Sequence, residues 1–119
     1  ARGVPMYRPS GAGTKSGIDS ASDNDLSDFL RTINPVTFDY KPAYGGEKNQ
    51  YGIIAEDAEQ SPVGQTFVKQ SGNGAKVIDT GKATMVNMAA SANQQRTIDT
   101  QGMLIAELLR KMSYLEGGR

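Results

Sequence analysis

Residues 98–116 read IDTQGMLIAELLRKMSYLE, and the spacing of the apolar side chains in this stretch decides the fold. Steps of three and four residues connect six positions, which we call the seam: Ile98, Gln101, Ile105, Leu108, Met112 and Leu115. This is the a/d repeat of a coiled coil, and the charged Arg110 and Lys111 fall outside it. The stretch therefore predicts a helix that associates with copies of the same chain.

The predicted helix runs from about residue 82 to 116, because nothing in this range breaks a helix except Gly102, which leaves room for a kink. Upstream of the seam the same register falls on polar residues, namely Thr84, Asn87, Ser91 and Gln94, and the apolar Met85, Met88, Ala89 and Ala92 lie beside it. We expect the first half to pack on the strands and the second half to self-associate. A monomeric helix folded back on the sheet is the alternative.

The composition also favours association. The chain has 119 residues, enough for one small domain, and only 22 of them are Leu, Ile, Val or Phe, against 14 Gly and 5 Pro. Low aliphatic content indicates disorder when net charge is large, but here 13 basic residues balance 13 acidic ones. A fold completed by other copies is therefore expected.

The missing residue types exclude several functions. Because the chain has no Cys or His, it has no zinc finger, thiolate nucleophile or Ser-His-Asp triad, which leaves Ser-Lys, carboxylate or tyrosine chemistry. No apolar run is long enough for a bilayer span, so we expect no membrane partner. The balanced charge argues against nucleic acid as a partner.

Two local patterns resemble ligand sites only superficially. Residues 11–16 read GAGTKS, which lacks the Gly-Lys-[Ser/Thr] ending of a phosphate-binding loop. Four acidic residues, Asp19, Asp23, Asp25 and Asp28, lack the Gly and the distal Glu of a calcium loop, and they suit the positive end of a helix dipole. We therefore expect no cofactor and no metal.

The N-terminal quarter divides at residue 22. Residues 1–21 are rich in Gly, Pro and Ser and predict an extended arm or linker, while residues 22–119 form the domain. Ser22 is placed to cap a short amphipathic helix whose apolar residues are Leu26, Phe29, Leu30 and Ile33. Asn34-Pro35 ends this helix.

The middle of the chain predicts small antiparallel strands and hairpins. The expected elements are a half-buried strand at 36–40, a polar loop at 41–50, a more buried strand at 51–55, a helical turn at 56–60 closed by Ser61-Pro62, and a hairpin of 66–71 with 75–79 around Gly72-Asn73-Gly74. The fold class is therefore α+β, with a short N-terminal helix and a long C-terminal helix that forms a coiled coil.

Four pieces in this order resemble a known domain: Ser22-Asp23-x-x-Leu26, then residues 35–41 (PVTFDYK), then 51–57 (YGIIAED), then 89–98 (AASANQQRTI). Together they resemble the intramolecular chaperone auto-processing domain of phage endosialidase tailspikes, neck appendages and tail fibres, which myelin regulatory factor also carries. The resemblance covers about residues 22–112. It implies a homotrimer with a C-terminal helical bundle that promotes folding of the fibre upstream and then releases itself with a Ser-Lys dyad written S-D-x-R-L-K.

This sequence departs from that signature at the residues that matter for cleavage. Ser22, Asp23 and Leu26 match, but Asp25 stands at the Arg position and Ser27 at the Lys position. A Ser-Lys dyad needs a neutral amine to take the hydroxyl proton, which Ser27 cannot do. The cleavage position is therefore degenerate, and we expect Ser22 to act as a helix cap and the protein not to be an enzyme.

The resemblance implies a phage virion structural and assembly protein, a trimerisation domain that stays uncleaved in the tail fibre, spike or adaptor region after synthesis in the host cytoplasm. Its partners are then its own copies and, through residues 1–21, an upstream fibre segment or neighbouring virion proteins. A self-cleaving chaperone whose proton acceptor comes from elsewhere in the trimer is one alternative. A generic oligomeric adaptor module is another.

Overall fold

The computed structural model describes residues 7–117, and it has the α+β fold that the sequence predicts. The helices are α1 (Asp23–Thr32), α2 (Ala55–Ala58), α3 (Pro62–Gln65) and α4 (Thr80–Gly117). The strands are β1 (Val36–Phe38), β2 (Gln50–Gly52), β3 (Val68–Gln70) and β4 (Lys76–Ile78), and 3₁₀ turns lie at Ala12–Thr14 and Pro42–Tyr44. The molecule measures 74 × 40 × 22 Å, so it is strongly elongated.

The four strands form two separate antiparallel pairs and not one continuous sheet. β1 pairs with β2, with Val36 opposite Gly52, and β3 pairs with β4, with Val68 opposite Ile78. The predicted second hairpin is confirmed. Its turn is closed by the Gly74 N–H, which donates to the Ser71 carbonyl at 2.9 Å. Gly74 adopts a φ of 86°, a left-handed conformation that glycine reaches without a steric cost.

The prediction of a buried strand at 51–55 is wrong. The strand ends at Gly52, and Tyr51 is 88% exposed because the two-stranded ribbon leaves its outer face in water. Ile53 and Ile54 then lead into α2, which begins at Ala55. The first strand is also shorter than predicted, since β1 ends at Phe38. Tyr40 lies beyond the strand, and its ring packs edge to face against the ring of Phe38.

Ser61-Pro62 does more than close the preceding helical turn. Pro62 is the first residue of α3, a position that suits its fixed φ and missing N–H. The buried Ser61 caps this helix, because its Oγ accepts the Gly64 N–H at 3.0 Å. Gly64 is required here, since a Cβ on it would lie 1.8 Å from the Ala58 carbonyl oxygen. This close approach packs α3 onto the end of α2.

The core is small and centres on two phenylalanines. Phe29 of α1 meets Phe67 edge to face, with ring centroids 5.7 Å apart, a favourable geometry for aromatic pairs. Ala58 completes the buried cluster, and partly buried apolar residues surround it: Leu30, Ile33, Ile53, Val63, Val68, Ile78, Ala83 and Val86. The last two belong to α4, so the base of the long helix is part of the core.

An ion pair ties the hairpin to the short helices. Lys76 of β4 pairs with Glu59, the residue that follows α2. This hydrogen bond to the carboxylate raises the pKa of Lys76 above its ordinary value. The pair connects the two parts of the chain that flank α3.

Helix α4 has 38 residues and a length of about 57 Å. It begins two residues earlier than predicted and ends one residue later, and it passes Gly102 as one continuous element. The Asp79 carboxylate accepts the Lys82 N–H at 3.1 Å, which satisfies one of the free donors at the helix start. Within the described residues, no helix combines the length and apolarity needed to cross a bilayer.

Candidate functional site

Two regions correspond to the predicted functional residues: the start of α1 and the outer half of α4. At the first, Ser22 has an extended backbone and its Oγ accepts the Asp25 N–H at 3.2 Å. Asp23 and Asp25 lie in the first turn, where the helix dipole favours negative charge. The predicted capping role of Ser22 is therefore confirmed.

Ser27 is the residue that stands where the signature has Lys, and its hydroxyl is already engaged. The Asn93 side-chain amide lies 3.3 Å from the Ser27 Oγ and 3.4 Å from the Asp23 carbonyl oxygen. Asn93 is only 4% exposed, so these contacts satisfy a polar group that would be costly to bury alone. The amide joins α1 to α4 at Ser27.

Sequence reasoning missed Asn93. It continues the spacing of Ala83, Val86 and Ala90, at steps of three, four and three, and these residues form the face of α4 that packs on the rest of the domain. That periodicity was a usable signal. A polar residue at the end of an otherwise apolar face predicts a buried side chain that needs a partner.

The surroundings of Ser22 offer little for nucleophilic catalysis. A shallow groove beside it separates residues 20–23 from α4, and its lining is Ser20, Ala21, Asp23, Leu26, Ala89, Ala92 and Arg96. Arg96 is the one basic side chain in this lining, and a guanidinium offers N–H donors but no acceptor for the hydroxyl proton. Among the described residues, no group of three or more acidic side chains is arranged to hold a metal ion.

Most of the outer half of α4 extends beyond the domain. Every residue from 94 to 117 is exposed, whereas Ala90 and Asn93 are buried just before this segment. We call residues 94–117 the stalk. Five apolar residues of the seam are 56–72% exposed: Ile98, Ile105, Leu108, Met112 and Leu115. The sixth seam residue, Gln101, is exposed as well.

Further apolar side chains widen this face. Leu104 and Leu109 flank the seam and are also exposed, while Glu107 and Lys111 form an ion pair at 3.5 Å along the helix. Helices in proteins are stabilised chiefly by packing of an apolar face, and the stalk has no such packing against the rest of residues 7–117. An exposed apolar face of this length is typical of an interaction site.

The structure thus brings the predicted residues into two places rather than one. Ser22, Asp23 and Ser27 lie on α1 against the inner half of α4, and the seam lies along the stalk. A second groove, lined by Ser27, Leu30, Arg31, Asn93, Gln94, Thr97 and Ile98, lies where the two regions meet. The seam therefore begins where α1 stops covering α4.

Comparison with models of known protein families gives a match to the part of the chain that contains α1. The family model described as chaperone of endosialidase (peptidase S74) matches residues 10–69, just over half of the chain. The chain belongs to this family. The endosialidase-chaperone match ends in β3, so it includes Ser22 and Ser27 but not α4. No curated protein matches the chain significantly.

Proposed function

We propose that this chain is a trimerisation and assembly domain of a phage tail fibre, spike or adaptor that remains uncleaved in the virion. Membership of the endosialidase-chaperone family supports a role in fibre assembly. The observation that carries the proposal is the stalk, whose apolar face lies in solvent along its whole length. Three copies aligned in parallel would cover these faces with one another.

Burial of the seam is the driving force for association. Each large apolar side chain contributes about 1.5–3 kcal/mol when it is removed from water. The loss of translational and rotational freedom opposes this gain. The seam residues alone do not fix the number of strands, because Gln101 at d and Met112 at a are not the pattern typical of dimers. Three strands follow from the family resemblance.

A parallel trimer would solve a specific folding problem. Long β-rich fibres depend on nonlocal pairing, which is slow and exposes unpaired edges. A helical seam forms from local contacts and fixes both the number of chains and their alignment. Residues 1–21 would then contact an upstream fibre segment or neighbouring virion proteins.

Retention without cleavage rests on the α1 contacts. Ser27 cannot take a proton from Ser22, and its hydroxyl already contacts the Asn93 amide. Ser22 itself is occupied as a helix cap. The protein therefore acts as a structural component rather than as a self-releasing enzyme.

Native mass spectrometry of the full-length chain tests stoichiometry and cleavage together. We expect an intact trimer that does not change over several days. The variant Ile105→Asp should be monomeric, because it would bring three carboxylates together in a dry seam. Ala106→Asp is the matched control, since this neighbouring position lies outside the seam and should leave the trimer intact.

Other outcomes identify the alternatives. A fragment that begins at or beside Ser22, and that is absent from Ser22→Ala, would establish the self-cleaving chaperone. A wild-type monomer would contradict the trimer and favour a generic adaptor module.

A further inference from the structure

Three side-chain amides recur at a fixed spacing along α4. Asn87, Gln94 and Gln101 are seven residues apart, so all three fall at the d position of the heptad register. All three are exposed, and none of their side chains makes a hydrogen bond in the part of the chain that the structure describes. Two other amides of α4 behave differently: Asn93 contacts Ser27, and Gln95 donates to Asp99 at 3.0 Å. The d-position amides are thus left without partners in the single chain.

The surroundings of Gln101 differ from those of the other two. Ile98 precedes it and Ile105 follows it in the seam, so in an assembled coil the layers on both sides of Gln101 are apolar. Asn87 and Gln94 instead adjoin the hydroxyls of Thr84 and Ser91, which favours a hydrated interior. Gln101 is therefore the amide position that assembly would enclose most completely.

No charge lies near this position on the seam side of the helix. From residue 84 to 109 the a, d, e and g positions contain no ionisable side chain, and the nearest carboxylates, Asp99 and Glu107, fall at the outward b and c positions. A ligand enclosed at Gln101 would meet neutral groups only. Its preference for anions or cations then depends on which end of each amide faces the axis.

In the trimer proposed above, three Gln101 amides converge at one level. Each amide has one carbonyl oxygen and two N–H donors. If each donates one N–H to the oxygen of the next, the ring closes and satisfies the three oxygens. Three N–H donors remain, one on each amide, and a single acceptor on the axis would be within reach of all three. Orphaned buried donors are rarer in proteins than under-used carbonyl oxygens, so the remaining donors require an acceptor.

We propose that the Gln101 ring binds a monovalent halide ion, with chloride as the natural ligand. This inference rests on the proposed trimer. A halide accepts hydrogen bonds from any direction and can take all three donors at once. A water molecule has two hydrogens of its own and would point at least one of them at a donor or at the apolar layers. The bound anion fixes the three chains in register at this layer.

Thermal unfolding in sodium chloride, compared with sodium methanesulfonate at the same ionic strength, tests the site. Methanesulfonate is too large for an axial position between two isoleucine layers. If chloride binds with a dissociation constant of about 10 mM, 100 mM chloride raises the ratio of folded to unfolded protein about tenfold. The Tm of the wild type should therefore be higher in chloride, and the ³⁵Cl resonance of the solution should broaden.

Two matched variants locate the effect. Gln101→Leu should remain trimeric and lose both the chloride-dependent rise in Tm and the line broadening. Gln94→Leu removes the same amide one heptad away and should keep both. General salt effects cancel, because they act on all three proteins alike.

The outcomes separate this inference from the trimer itself. Native mass spectra that show no wild-type trimer would refute the proposed function and the site together. A trimer whose Tm and ³⁵Cl line width do not depend on Gln101 would overturn the halide site alone. A chloride effect that vanishes in Gln94→Leu and persists in Gln101→Leu would also refute the site at Gln101.

Discussion

At the scale of single residues, Ser22 shows how one hydroxyl can have two explanations. In the family signature it is a nucleophile, and in this structure its Oγ accepts the Asp25 N–H at the start of α1. A nucleophile needs a proton acceptor, whereas a cap needs only the free donor that every helix start presents. The capping role therefore persists when the catalytic partner is lost.

Replacement of Ser22 by Ala should lower the free energy of unfolding by about 1 kcal/mol, because one N–H of α1 loses its partner. Urea denaturation measures this change. Intact mass spectrometry should show an uncleaved chain for the wild type and for the variant. Ser20→Ala is the control, since Ser20 lies two residues before the cap, and it should unfold like the wild type. Equal stability of all three proteins would contradict the capping role.

The side chains of Asn93 and Ser27 should be energetically coupled. Asn93→Ala leaves the half-buried Ser27 hydroxyl without its partner, and we expect a loss of about 1–3 kcal/mol. In the double variant with Ser27→Ala the losses should not add, and the coupling energy should be about 1 kcal/mol. Chemical denaturation of the four proteins in this cycle gives the value. Asn24→Ala, an exposed asparagine on α1, controls for the loss of an amide, and strict additivity would show that the two side chains do not interact.

At the scale of elements, local signals predicted which helices and hairpins form better than the residues at which they begin and end. The cap at Ser22, the apolar spacing of α1 and the glycine turn at Gly74 are short-range features, so the sequence alone was sufficient for them. The strand predicted at 51–55 was wrong because Ile53 and Ile54 look like a strand interior, although they connect β2 to α2. Helix α3 was missed because Pro62 ends one helical turn and begins another.

The junction of α2 and α3 depends on a single glycine. Gly64→Ala should destabilise the domain by about 3 kcal/mol, since a Cβ there would require the backbone at Ala58 to move. Denaturant unfolding provides the measurement. Gly13→Ala is the matched control, because nothing lies within 4 Å of a Cβ at that position in the arm. A Gly64→Ala protein as stable as this control would show that α2 and α3 separate easily.

At the scale of the whole molecule, the domain and the stalk should respond differently to loss of association. In Ile105→Asp the stalk loses its partner faces, so circular dichroism at 222 nm should show less helix than in Ala106→Asp. The near-ultraviolet signal of the phenylalanine side chains should change little, because Phe29 and Phe67 pack within one chain. An unchanged helical signal would indicate that the stalk is stable alone or folds back on its own domain.

The helix of the stalk is confirmed, because a heptad repeat is a periodic signal that needs no tertiary information, whereas association along the seam stays a prediction. The Asn93 contact to Ser27 could not be foreseen in the same way, since it joins residues 66 positions apart and depends on how α1 lies across α4. Pairings of that kind are set by tertiary packing.

The order of polar and apolar layers along α4 has a consequence for when, during translation, the proposed assembly could begin. The polar layers at Asn87, Ser91 and Gln94 lie next to the domain, and the aliphatic layers lie beyond them toward Leu115. Domains emerge from the ribosome and fold from the N-terminal side first. The seam is therefore translated after the domain that, in the proposed trimer, it would align. In the proposed trimer, recruitment of other copies would wait until the aliphatic layers have been translated, and a product terminated before them would be left out of the assembly.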